Sequence, residues 1–414
     1  MDLGTINQIV IIGGGQAGAQ AAISLRSGGY GGSITLVGDE PAAPYQRPPL
    51  SKAYLKGELE EERLYFRTKD WYAEEHIALE LEVSATAIDR SARTVTLSDG
   101  RSLPYDALII ATGSRPRPLP LDGADLSGVF ELRSLSDVDR LAADMAPGKT
   151  ITIVGAGYIG LEAAAVARQM GLNVIVLEMA DRVLARVTSP IISRFYSDVH
   201  SSQGVDIRTG ARLMKLVGSD GTVTAAELED GSRIDTDLVL VGIGILPNQE
   251  LVANAGIACE NGILVDRDAR TSDPRVFAAG DCTARPLVHY GRRGRLESVH
   301  NAIEQGKLAA AAILGQARPN EDVPWFWSDQ YNLKLQIAGL STNYDEAVLR
   351  GDPDSHRFSV FYLKDGTVIA VDAVNSPPDY MVGKKLIAAA AKLAPATLRD
   401  TSVSMKEIAA SAAP

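Results

Sequence analysis

The sequence predicts an α/β protein: two parallel-sheet domains followed by a C-terminal α+β domain. Three observations carry this. The run from Ile9 to Gly18 recurs in type from Ile151 to Gly160. Each copy is a β-branched strand running into G-x-G-x-x-G and then an Ala/Leu-rich helical stretch. From about residue 323 the pattern changes to short alternating strands. The 414 residues suffice for two or three domains of roughly 100 to 200 residues each.

In the first copy, strand 9–12 leads into Gly13, Gly15 and Gly18, helix 19–25 and a second strand, 33–37, followed by Asp39. In the second, Gly155, Gly157 and Gly160 precede helix 161–170 and strand 173–177, followed by Glu178. Both acids stand near the spacing of about 20 residues expected for a carboxylate on a ribose. Backbone without side chains can approach a pyrophosphate, and a helix N-terminus offers it N–H groups and the positive end of a dipole. The duplicated unit therefore predicts two Rossmann-like dinucleotide-binding domains, a flavin store loaded by a nicotinamide donor. The motifs alone leave open which copy takes which nucleotide; in the copy ending on Glu178, a 2′-phosphate about 4 Å from the carboxylate costs on the order of 4 kcal/mol at an effective dielectric near 20. A nicotinamide donor held there is expected to be NADH over NADPH, with Arg182 nearby as the group able to rescue the phosphate.

Strand 106–110 leads into Ala111, Thr112 and Gly113, and the stretch 271–281 ends on Gly280 and Asp281. A helix is expected over 298–314. The last domain reads as strands 334–340, 347–350, 357–364 and 367–374, with Asp365-Gly366 as a hairpin turn, then a helix over 380–393.

Composition removes several classes. With 45% hydrophobic and 22% charged residues the chain reads as globular, and its net charge of -11 argues against nucleic acid as a partner. There is no basic leader and no window of about 18 apolar residues, so neither a signal peptide nor a membrane span is expected, and the location is expected to be cytoplasmic. Two cysteines, Cys259 and Cys282, make neither a disulfide framework, a metal cluster nor a Cys-x-x-Cys pair. Both read as packing residues, so electrons must leave by the flavin itself.

The segments Pro44 to Lys52, Glu297 to Asn301 and Trp325 to Gln330, with the Ala-Thr-Gly and Gly-Asp motifs, make the chain resemble the FAD-dependent ferredoxin reductases of oxygenase systems, a branch of the two-dinucleotide flavoproteins. The resemblance implies FAD on residues 1–115 and 246–322, NADH on 116–245, and an α+β interface domain over 323–414. It implies FAD contacts from Gly13, Gly15, Ala17, Gly18, Asp39, Arg47, Ala85, Ala111, Thr112, Gly113, Arg133, Gly280, Asp281, Val299 and Trp327. Gly155, Gly157, Tyr158, Ile159, Gly160, Glu178 and Gly244 are implied on the NADH side. Lys52 and Glu162 are implied as catalytic partners beside the isoalloxazine, each also touching its cofactor. His300 receives no acid–base role. The implied acceptor is an acidic two-iron ferredoxin serving a haem or Rieske oxygenase. Because this chain is net negative too, docking needs local positive charge, with Arg292, Arg293, Lys307, Lys384 and Lys406 as candidates. The alternatives are a rubredoxin reductase or a sensing flavoprotein resembling apoptosis-inducing factor.

Overall fold

A computed structural model describes residues 5–411. The chain divides into two compact units. One gathers the residues up to Gln46, Glu61–Arg115 and Leu246–Asp322; the other gathers Arg47–Glu60, Pro116–Ile245 and the chain from Val323 onward.

The first unit is built on a parallel sheet in the order Val276–Ala278, Ala107–Ile110, Gln8–Ile12, Ser33–Val37, Ile77–Glu80. The alternation of the first strand explains its two cores. Ile9 and Ile11 face the helices Gln16–Ser27 and Val299–Leu314 and pack with Leu25, Leu308 and Ile313. Val10 and Ile12 face the opposite way, onto Val95 and Leu97 of a small antiparallel sheet and Val252 of the short helix Glu250–Asn254. A strand buried on both faces is continuously apolar, as the sequence is here.

The second unit repeats the parallel sheet in the order Val205–Thr209, Asn173–Glu178, Thr150–Val154, Leu238–Val241, Val129–Phe130. The helix Tyr158–Gln169 follows the second glycine motif. Its other sheet is antiparallel, in the order Trp325–Gln330, Leu333–Gly339, Thr367–Val374, Arg357–Lys364, Glu346–Asp352. Asp365 and Gly366, with φ of 49° and 75°, make the tight turn between its two longest strands.

One expectation needs correction. The helix expected over 380–393 is Pro377–Ala388. It stops early because Ala390 turns left-handed, the Ala391 N–H closes back on the Leu386 carbonyl, and residues 391–393 hydrogen-bond with the sheet turn. Residues 47–60 pack with the second unit, although the sequence counts them with the first. The C-terminal sheet keeps its own core, around Phe361, Val371 and Leu386, but contacts group it with the second glycine-motif region. Polar bonds join the two: Ser328 to Glu162, Gln330 to His200 and Tyr362 to Ser189.

Candidate active site and dinucleotide cradles

The two glycine motifs have nearly the same geometry. Gly13 has φ +119° and Gly155 φ +108°, a region that side chains rarely adopt. A Cβ at either would lie 2.1 Å from the Ala111 carbonyl oxygen or 2.4 Å from that of Gly242, so each loop passes directly against the next strand's end. At Gly18 and Gly160 a Cβ would sit 2.0 and 2.1 Å from the carbonyl oxygens of Gly13 and Gly155, which lets the helix settle onto the loop. Gly15 and Gly157 differ: they are the N-caps, space is open where a Cβ would point, and no side chain caps either helix. The first N–H groups of both helices are therefore left for an anion.

The acids after the second strands are not equivalent. Gly13 N–H donates to Val37 O at 2.8 Å and Gly155 N–H to Leu177 O at 2.7 Å. That register equates Glu178 with Gly38, and Asp39 stands one residue further on, exposed. Glu178 is half-buried and fixed: Oε2 accepts from Ala156 N–H and Oε1 from Ala180 N–H, both at 2.8 Å. Arg182, the group able to rescue a 2′-phosphate, donates instead to Thr188 O at 3.0 Å, Ala185 O at 2.8 Å and Ser193 Oγ at 2.5 Å. Its fork is committed to the carbonyls of Ala185 and Thr188 and to Ser193 of the helix Pro190–Ser202, bonds that a rescue of the phosphate would have to break.

Around the first cradle, Ala17 is buried with its Cβ 3.0 Å from where a Cβ on Gly280 would lie. Ala111 is buried at the end of the Ala107–Ile110 strand. Thr112 Oγ1 donates to Asn248 O at 2.7 Å and Asn248 Nδ2 returns a bond to Thr112 O at 2.9 Å, pinning the turn that carries Gly113. Gly280 N–H donates to Gln305 Oε1 at 2.9 Å, and Asp281 accepts from Ser114 Oγ at 3.2 Å. Val299 opens its helix, whose N-cap Ser298 accepts from Asn301 N–H at 3.1 Å. Ala85 begins the strand Ala85–Asp89, half-buried. Arg295 Nε is buried with no hydrogen-bond partner, a donor that no sequence motif singles out.

The second unit brings Lys52 and Glu162 together. The 3-10 turn Pro48–Ser51 delivers Lys52, whose Nζ lies 2.5 Å from Glu162 Oε2. The glutamate side chain is 4% exposed and the lysine 19%. Ser51 Oγ donates to the same Oε2 at 2.6 Å, and Ser328 Oγ donates to Oε1 at 2.7 Å. Three donors on one buried carboxylate offset its desolvation, which a lone charge there would not survive. Sequence reasoning missed both serines, although each lies inside a motif it singled out. Arg47 Nη1 donates to Arg133 O at 2.6 Å. The Tyr158 ring packs on Phe326, centroids 4.9 Å apart, with its hydroxyl buried and lacking an acceptor. Its neighbour Ile159 is 44% exposed beside the open cradle. Gly244, at φ +107°, lies on the loop after Leu238–Val241 near Arg186. Trp327 is half-buried, 5.7 Å from the Trp325 ring.

A second buried carboxylate, Asp372, accepts from Tyr362 at 2.5 Å and from Thr188. Burial pushes it up to about 6, with those two hydrogen bonds working the other way. Burial likewise raises the nearby Tyr362 and Tyr196 hydroxyls. The Cys282 thiol is buried and pushed up to about 11 by desolvation, and Cys259 is also raised by burial, the reverse of what a reactive thiolate needs.

Of the docking candidates, Arg292, Lys307 and Lys406 are exposed and Lys384 is half-buried. Arg293 is exposed as well, and its guanidinium donates to Val265 O at 2.6 Å and Ala284 O at 2.9 Å, bonds that hold the side chain without neutralising its charge. No helix among the described residues is long and apolar enough to cross a membrane.

Residues 7–306 match the family Pyridine nucleotide-disulphide oxidoreductase, and residues 325–409 match Reductase C-terminal. Putidaredoxin reductase of Pseudomonas putida is 44% identical over 411 residues, 98% of this chain and 97% of that protein. Rhodocoxin reductase of Rhodococcus erythropolis is 44% identical over 398 residues, covering 96% and 93%. The crystal structure of the covalent putidaredoxin reductase–putidaredoxin complex superposes with a TM-score of 0.96 at 44% identity, covering 98% of this chain and 99% of that one. The chain thus belongs to the pyridine nucleotide-disulphide oxidoreductases, and within them to the ferredoxin reductases of oxygenase systems. The family contains FAD and uses NAD(P)H, and the residues present fit both: two uncapped glycine cradles, each followed by an acid, and a buried guanidinium N–H without an acceptor.

Proposed function

We propose that this chain transfers electrons from NADH to a two-iron ferredoxin that feeds a haem or Rieske oxygenase. Residues 1–115 and 246–322 would hold FAD, 116–245 NADH, and 323–414 the ferredoxin interface. The observation that supports this most is the pair of uncapped cradles in a chain whose two thiols are both raised by burial. Bound FAD would supply the store that accepts a hydride and releases electrons singly.

The chain's own residues supply binding and charge. The helix ends behind Gly15 and Gly157 would take the two pyrophosphates. Glu178, held by two backbone N–H groups, would accept from the ribose hydroxyls and repel a 2′-phosphate. Lys52, kept in place by Glu162, would set its positive charge beside the ring that gains negative charge on reduction. The N-terminus of Val299–Leu314 would act in the same direction. A cytoplasmic location belongs to the same reading.

The test uses the purified yellow holoprotein, comparing NADH with NADPH as donor and a ferredoxin with a rubredoxin as acceptor. Preference for NADH and saturation by the ferredoxin are expected. Saturation by rubredoxin alone favours the rubredoxin reductase reading, and tight FAD and NADH binding without turnover favours the sensing one. Lys52→Ala is expected to slow flavin reduction by NADH in stopped flow, and an unchanged rate removes Lys52 from the chemistry.

A further inference from the structure

Glu162 ends a buried hydrogen-bonded chain that its pairing with Lys52 does not require. Ser328 Oγ donates to Glu162 Oε1 at 2.7 Å, and Gln330 Nε2 donates to Ser328 Oγ at 3.1 Å. Gln330 Oε1 lies 2.8 Å from His200 Nε2, and the Tyr331 hydroxyl lies 3.2 Å from His200 Nδ1. Glu162, Ser328, Gln330 and His200 are 3%, 0%, 1% and 0% exposed, so water does not replace any link.

The far end fixes the direction of every bond. A carboxylate accepts only, so Ser328 must donate to it and take its own bond from the Gln330 amide. The Gln330 oxygen then faces His200, whose proton must sit on Nε2. Nδ1 is left bare and accepts from Tyr331. Burial lowers His200 below its ordinary range and keeps it neutral, as this pattern needs. Tyr331 stands at φ +56° in the turn between two strands, where glycine or asparagine fits more readily.

We propose that His200 is a positioning residue for Glu162: acting through Gln330 and Ser328, it keeps Oε1 occupied and leaves Oε2 to Lys52 and Ser51. This rests on the reading of Lys52 and Glu162 as the pair beside the flavin. In geometry it extends that pair from the second glycine helix through the first strand of the C-terminal sheet to the helix Pro190–Ser202.

The first readout is the tautomer of His200 by 15N NMR of histidine-labelled, full-length holoprotein, with the signal assigned from His200→Gln. The Nε2–H form is expected. In Glu162→Gln the ammonium and the Ser51 hydroxyl hold the amide oxygen at the Oε2 position, so its NH2 faces Ser328. The chain then reverses, and the His200 proton moves to Nδ1. A His200 tautomer unchanged by Glu162→Gln overturns the proposal, because a merely structural histidine ignores that substitution.

The second readout is flavin reduction. His200→Leu is expected to slow it on the order of tenfold at saturating NADH, with NADH affinity within about twofold. His200→Gln, whose amide replaces the Nε2–H donor, is expected to recover most of the rate. Should His200→Leu lose FAD, Gln330→Leu carries the same measurement. A rate indifferent to Lys52→Ala and Glu162→Gln sinks the reading of the pair. A rate sensitive to those two but not to His200→Leu or Gln330→Leu sinks only the positioning role.

Discussion

The two glycine motifs share a loop and differ in the acid beyond it. Their loops are nearly superimposable in conformation, with φ +119° at Gly13 and +108° at Gly155, and both helices are left uncapped. Yet the first copy has Gly38 where the second has Glu178, and its acid, Asp39, is exposed one position later. Glu178 is gripped by Ala156 and Ala180. The first copy is therefore a cradle with an open rim, whereas the second carries a fixed carboxylate able to discriminate. Phosphate binding needs backbone alone, but selectivity needs a held charge.

Substitution of the shared glycines separates the two cradles most clearly. Gly13→Ala would force a Cβ to 2.1 Å from Ala111 O at a disfavoured φ, and is expected to yield protein without yellow colour. Gly155→Ala, facing Gly242 O at 2.4 Å, is expected to keep flavin and lose NADH affinity by about a hundredfold. Absorbance at the flavin band and NADH titration decide this, and loss of both cofactors in both variants would deny two separate cradles.

Glu178→Ala is expected to lower the NADH:NADPH ratio of kcat/KM by roughly thirtyfold, about half of the unscreened repulsion at an effective dielectric near 20. Asp39→Asn in the other cradle is expected to leave that ratio within about twofold, since an exposed charge there is screened.

A smaller effect separates the units by pH. Asp372 rises from its ordinary 3.8 to about 6 in the folded chain, so there the folded state binds more protons than the unfolded one. Its contribution to stability is full below about 4, is lost as pH rises to about 6, and is flat above. A shift of this size corresponds to at most about 3 kcal/mol. Asp372→Asn is therefore expected to gain stability relative to the parent as pH rises from 4.5 to 7, by a few degrees in Tm. The first unit's buried charges, Arg285 with Glu304 and Glu321, are paired. A melting difference independent of pH would remove Asp372 from the account.

Much of the fold was legible in sequence because its signals are local. Strands Ser33–Val37, Arg357–Lys364 and Thr367–Val374 fall where the apolar runs and turn residues place them. The end of Pro377–Ala388 was not legible, since Ala390 turns left-handed where nothing but the neighbouring sheet requires it. Arg182 and Arg293 are tied to carbonyls that no local pattern names. Ser51 and Ser328 sat inside recognised motifs, but a serine's hydroxyl has value only through what faces it.

The sequence by itself determined that two strand–glycine–helix cradles exist and that no thiol pair competes with them, because those properties lie within some 30 consecutive residues or in a count. Only the tertiary structure decided what surrounds Glu162. Its donors come from 110 and 166 residues away along the chain, and His200 reaches Gln330 across 130. The reason is physical: a buried charge must find its partners wherever packing brings them, and sequence spacing carries no record of that.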